Sequence, residues 1–195
     1  MSTPVTPSRQ VSNLILAGLV LLLLISRFQP VEHFLEIPDA SWAVFFIAGF
    51  YLSRQVRWVF PLLLVEAVLI DWAATTFAGV SDFCITPSYV SIVPVSAVMW
   101  FGGHWLRRHA DEDLQGLLAL AGSAVLATTL AYAISNGGFY WFGGRYPDPN
   151  WTQFVDRFFH YYRWFLLVPC AYIAAAAVVH AGIVFGLREK EAWRG

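Results

Sequence analysis

Residues 58–79 read WVFPLLLVEAVLIDWAATTFAG. A helix that crosses a bilayer core of about 30 Å needs about 20 mostly apolar residues, and this run supplies them. Pro61 falls in its first turn, where a missing N–H costs little. The rest of the chain agrees with that reading. Of its 195 residues, 58% are hydrophobic and 13% are charged. Soluble domains average roughly 45–50% apolar and about 25% charged. Too little polar side chain remains to cover a water-facing surface, so a lipid bilayer is the implied partner.

Further apolar runs lie on both sides, at 11–26, 40–53, 89–106, 114–135 and 164–187. The run at 40–53 is short for a crossing. Pro94 marks a kink in the fourth run, and Pro169 lies near the start of the sixth. Backbone groups inside hydrocarbon must pair within their own segment, which selects helices. The period-2 alternation of an outer-membrane barrel is missing. The expected fold is all-α, with six transmembrane helices in one domain over 1–195. Arg27-Phe28-Gln29-Pro30 follows the first run without a small-residue cleavage site, so that run reads as a retained span. A net charge of −1 disfavours nucleic acid as a partner. No G-x-x-x-x-G-K-[ST] motif occurs, so ATP has no P-loop site in this chain.

Orientation follows from the basic residues. Arg9, Arg54, Arg57, Arg107, Arg108, Arg188, Lys190 and Arg194 gather on one side, and Arg27, Arg145, Arg157 and Arg163 on the other. Both termini are expected in the cytoplasm, with outer loops at 28–39, 80–88 and 136–162. The last of these is long and rich in glycine and aromatics, and long structured loops are usually functional. Gly137-Gly138 and Gly143-Gly144 bracket Phe139-Tyr140-Trp141-Phe142. This segment reads either as a cover for a large planar ligand or as an interfacial aromatic belt.

Other residues also carry two readings. Cys84 sits in the 80–88 loop, where a helix start lowers a thiol pKa and a thiolate suits a transition metal. A lone cysteine is otherwise an inert small hydrophobe, and Cys170 reads as packing. Glu66 and Asp71 are carboxylates in an apolar run, expensive unless paired or functional. Asp71 lies near the outer end and would border a cavity there. Glu66 lies deeper, where it would pair with a cation or carry a proton. His33, His104, His109, His160 and His180 form no HxxxH or HExxH pair, so a zinc hydrolase site has no support. The pairs Ala127/Ala131 and Ala177/Ala181 have helix-packing spacing.

Six short spans, basic inner turns, a cysteine in the loop before the fourth span and the Ser135-Asn136-Gly137-Gly138-Phe139-Tyr140-Trp141 segment together resemble the BtuM-type cobalamin transporters. These are small bacterial inner-membrane proteins related to the S-components of energy-coupling factor transporters. The resemblance implies a vitamin B12 site open to the periplasm and a loop cysteine that ligates the corrinoid cobalt. Cys84 matches that position. It also implies removal of cyanide from cyanocobalamin at that cysteine. Phe83, Tyr89, Phe139, Tyr140, Trp141 and Tyr146 are then expected against the macrocycle. Asn136, Arg145 and Asp71 are expected at its amides or phosphate. One departure stands out: Leu21 follows Ala17 by four positions, so the Ala-x-x-x-Ala pattern of S-components that share an energising module is missing. This argues against that module as a partner and for a solitary transporter. The competing readings are a binder of another vitamin or precursor, a membrane enzyme with Cys84 as nucleophile, and a ligand-free anchor or sensory domain.

Overall fold

The computed structural model describes residues 8–28, 37–109 and 114–192, with 84 and 187–192 described by backbone alone. His33, Arg194 and most of the 28–39 loop lie outside the described residues. Among the described residues six α-helices follow one another: α1 (Arg9–Arg27), α2 (Ser41–Tyr51), α3 (Val56–Phe77), α4 (Ile92–His109), α5 (Leu114–Phe142) and α6 (Trp151–Ala192). Short 3-10 turns at Ser53–Gln55, Asp82–Cys84 and Pro87–Ser91 connect them, and no strand occurs among the described residues.

Among the described residues four segments are long and apolar enough to cross a membrane: Arg9–Arg27, Ser53–Phe77, Leu114–Phe142 and Trp151–Gly186. Their outward side chains are apolar, as with Leu14, Leu118 and Val178. Such a surface suits lipid. α2 has 11 residues, about 16 Å at 1.5 Å per residue, which is too short for hydrocarbon of about 30 Å. α4, which ends in Arg107-Arg108-His109, is also not among the four. The structure therefore carries an all-α bundle with four candidate crossings.

α2 lies at the centre. Ala43, Val44, Phe45, Phe46 and Ala48 are all buried. Its contact with α4 is backbone on backbone. A Cβ added to Gly49 would sit 2.0 Å from the Trp100 carbonyl oxygen, and one added to Gly103 would sit 1.9 Å from that of Phe46. Bare glycine backbone is what lets the two helices close to this distance. α5 flanks α4, with Ala127 and Ala131 buried in the core. Small residues at this spacing thus serve internal packing. Ala177 and Ala181 are not buried.

Several boundaries differ from those read in the sequence. α3 starts at Val56, so Pro61 falls in its second turn. Pro94 is in the first turn of α4, where its ring fits without a kink. α6 starts at Trp151, which leaves Pro169 in its interior. The largest change is at 136–162. This segment is mostly helical, because α5 continues through Phe142 and the connection shrinks to 143–150. Packing between the aromatics of α5 and those of α6 offsets the weak helix propensity of Gly137 and Gly138. Gly144, at φ +69, takes the left-handed conformation that ends the helix. α6 has 42 residues, about 63 Å, so it projects well beyond a bilayer core.

The glycine contact has a direct test. Gly49→Ala and Gly103→Ala place a methyl group against backbone that cannot rotate away. Each should destabilise the purified protein by about 3 kcal/mol, read as a lower unfolding temperature in detergent and loss of a monodisperse gel-filtration peak. Gly18→Ala, where an added Cβ meets nothing within 4 Å, should be neutral or slightly stabilising.

Candidate functional site

The ends of the bundle differ in chemistry. At one end, Arg107 donates from Nη1 to the carbonyls of Phe50 (3.2 Å) and Tyr51 (3.1 Å), and Tyr51 shares a hydrogen bond with His180 at 2.9 Å. These contacts close the C-terminus of α2. At the other end lies Arg27, the last residue of α1. Its Nε and Nη2 donate to the two oxygens of Asp71 on α3, at 2.8 and 2.7 Å. Its Nη1 donates to Ser41 at 2.8 Å and to Asp39 at 3.3 Å. The Tyr89 hydroxyl donates to Asp71 at 2.6 Å. The guanidinium thus joins α1, α3 and the start of α2, and the Asp71 carboxylate adds the segment before α4. The two-pronged geometry is the strong form of this pairing. Asp71 therefore has a structural partner.

Beside this network lies a cavity of about 660 Å³, within the size range of small-molecule sites. It is lined by Trp42 and Phe45 of α2 with Arg27, and by Phe83, Ser88 and Tyr89 of the α3–α4 connection. α5 and α6 contribute two helical stripes. Tyr132, Asn136 and Phe139 recur at i, i+4 and i+7 on α5, while Arg157, Tyr161 and Phe165 recur at i, i+4 and i+8 on α6. Such spacings share one helix face. Arg157 lies over the rings of Tyr161, Tyr146 and Phe139 at 5.0, 5.3 and 5.7 Å. Phe83 reaches across to Phe139, with centroids 5.7 Å apart. The result is an aromatic enclosure with serine, asparagine and arginine set into it, suited to a planar apolar body with polar edges.

Of the residues singled out in the sequence, Phe83, Tyr89, Asn136, Phe139 and Tyr146 line this cavity. Asp71 stands behind it, bracing Arg27 and Tyr89. Arg145 lies over the Phe83 ring at 4.7 Å and donates to the Phe83 carbonyl at 3.2 Å, so it fastens the cysteine-bearing turn. Cys84 ends that turn, Asp82–Cys84, directly after Phe83. Tyr140 and Trp141 are not among the lining residues. The Tyr140 hydroxyl accepts from the Asn150 N–H at 2.8 Å and donates to Gln153 at 2.7 Å. Trp141 packs on Trp151, with centroids 5.0 Å apart. Trp141, five positions after Asn136, falls off the face that carries Asn136 and Phe139. Tyr140, four positions after Asn136, shares that face but lies a turn further along, where Asn150 and Gln153 engage its hydroxyl. Tyr132 was missed: it falls within the run 114–135 already read as helix, and its place beside Asn136 and Phe139 shows only when that helix is continued to Phe142. Arg27, Trp42, Arg157, Tyr161 and Phe165 were also missed, and the stripe on α6 is visible only once 151–163 is read as helix.

Glu66 lies elsewhere, in a shallow apolar groove of about 430 Å³ between α1 and α3. Its Oε2 is buried and has no hydrogen-bond partner among the described residues, so the expected pairing with a cation is not seen there. Among the described residues no group of three or more His, Cys, Asp or Glu gathers around a metal position.

The Arg27–Asp71 pair should dominate the stability of the cavity end. Removing one partner of a largely buried pair costs about 3–5 kcal/mol. Arg27→Met and Asp71→Leu should each lower the thermal midpoint in detergent strongly, and the double variant should fall by less than the sum. Additive losses would show that the two side chains are not coupled. Comparison with known proteins finds no family model that matches the chain and no curated protein that matches it.

Proposed function

We propose that the chain takes up cobalamin across the bacterial inner membrane. In this reading all six helices cross the bilayer, both termini lie in the cytoplasm, and the cavity opens to the periplasm. α4 packs against α2 and α5 and so needs less of an apolar outer face, whereas α2, at about 16 Å, covers only part of the hydrocarbon and its crossing is completed by the flanking segments 37–40 and 52–55. Uptake proceeds without a shared energising module, consistent with the missing Ala-x-x-x-Ala pattern.

One observation carries the reading. The turn that bears Cys84 borders an aromatic-lined cavity, and Arg145 holds that turn by the Phe83 ring and carbonyl. A planar corrin has large apolar faces and amide-bearing edges, which an enclosure of aromatics, serines and asparagine suits. A thiolate at Cys84, as a soft donor, would displace the axial base of cobalamin and take its place on cobalt. Thiolate donation would weaken the bond to the ligand opposite, and cyanide would then leave as the anion.

Purified protein mixed with cobalamin should show shifted corrin bands in the visible spectrum. Cys84→Ser should abolish the shift. Absence of cobalamin binding at micromolar concentration would overturn the proposal, and would direct attention to other vitamins or precursors. Topology is tested separately, in a Cys84→Ser, Cys170→Ala background. A cysteine introduced at Asp148 should react with a membrane-impermeant thiol reagent in intact cells, and one at Ser53 only after lysis. The reverse pattern would invert the orientation.

A further inference from the structure

Most polar groups that line the cavity are engaged with the protein itself. Arg27 and Ser41 bond to each other and to Asp39, and Tyr89 donates to Asp71. The Ser88 hydroxyl shares a hydrogen bond with Thr86 at 2.7 Å. The Tyr132 hydroxyl donates to the Phe158 carbonyl at 2.8 Å and accepts from Asn136.

Ser96 differs from all of these. It is 3% exposed and lines the cavity from α4. Its hydroxyl has no hydrogen-bond partner among the described residues, and it is not one of the unpaired polar atoms that are sealed off from water. The small exposure that Ser96 keeps therefore includes its oxygen. Ser96 is also the last residue of α4 to line the cavity, one helical turn before Trp100 meets Gly49 of α2. It marks the closed end.

A serine inside a helix commonly turns its hydroxyl back to a carbonyl three or four residues earlier, as Ser123 does to Leu120 at 3.2 Å. Ser96 makes no such bond. An unpaired hydroxyl in a buried position is destabilising, and alanine would suit the helix better. An occupant of the cavity offsets that cost by bonding to the hydroxyl. Its chemistry is narrowed by the rest of the lining. A cation finds no carboxylate there among the described residues. An anion is met better by Arg157 than by a hydroxyl. A neutral polar group on an apolar body is what remains for Ser96.

We infer that Ser96 is a ligand-binding residue at the closed end of the cavity, whose hydroxyl meets one neutral hydrogen-bonding group of the ligand. The inference rests on the reading of this cavity as the cobalamin site, where carboxamides on the corrin edge supply such a group.

The test compares Ser96→Ala with Ser123→Ala in the full-length protein in detergent. Ser123 is buried on α5 and does not line the cavity. Both exchanges gain the same helix propensity, so the difference between them reports the hydroxyl. Without ligand, Ser96→Ala should melt at or above the wild-type temperature, because it removes an unpaired group, and Ser123→Ala should melt below Ser96→Ala. In equilibrium titration with cobalamin, Ser96→Ala should bind about tenfold more weakly, roughly the value of one neutral hydrogen bond, and Ser123→Ala should match wild type. If ligand-free Ser96→Ala melts below wild type, the hydroxyl is structural and the inference falls. Unchanged affinity in Ser96→Ala would mean that only water meets the hydroxyl, and would overturn the inference alone. A loss above about a hundredfold would mark a charged partner and overturn the neutral assignment. Failure of wild type to bind cobalamin at all would overturn the inference together with the function on which it rests.

Discussion

The backbones of α2 and α4 touch where Gly49 meets Trp100 and Gly103 meets Phe46. Nothing larger than hydrogen fits at either glycine. In a bilayer, helices gain little by hiding apolar side chains from one another, since lipid is equally apolar. Close approach and the dispersion contacts it brings take over that role. The contact fixes α2 at the centre of the bundle and makes a helix of 11 residues a core element. The other helices pack around this pair: α1, α3 and α6 contact α2, and α5 packs along α4.

From that centre the two ends acquire different work. Arg107 closes one end by satisfying the last carbonyls of α2. At the other end Arg27 gathers three elements through Asp71, Asp39 and Ser41. A guanidinium near the end of an apolar helix is costly to bury unless its donors are used, and here several of them are. The same residue then forms part of the cavity. Structural and ligand-facing polarity are therefore adjacent: Asp71 holds Arg27 and Tyr89 from behind, and those two present themselves in front.

How far the sequence revealed the site depends on the element. Phe83, Tyr89, Phe139 and Tyr146 could be named because aromatic residues near a cysteine and paired glycines stand out in a linear chain. Tyr140 and Trp141 stood out for the same reason, yet their side chains serve the junction of α5 and α6. Composition does not reveal direction; helical phase does. Reading 136–162 as a loop discarded that phase, and with it the stripe of Tyr132, Asn136 and Phe139. Glycine pairs suggest a break when propensity alone is weighed, but the aromatic packing around α5 overrides them. Arg157, Tyr161 and Phe165 were hidden for the same reason, one helix further on.

The sequence by itself determined the environment and the elements. A chain with 58% hydrophobic and 13% charged residues has to place apolar surface outward, and runs near 20 residues have to be helical where no water can pair with the backbone. These conclusions rest on local composition and length, which a linear chain displays in full. Only the tertiary structure decided which of those helices stays at the centre, where α5 ends, and which atoms meet across the cavity. Those outcomes depend on contacts between residues far apart in the chain, such as Arg27 with Asp71 and Phe83 with Phe139. They also depend on hydrogen-bond direction, as in the chain from Asn136 through Tyr132 to Phe158. No local pattern encodes either one.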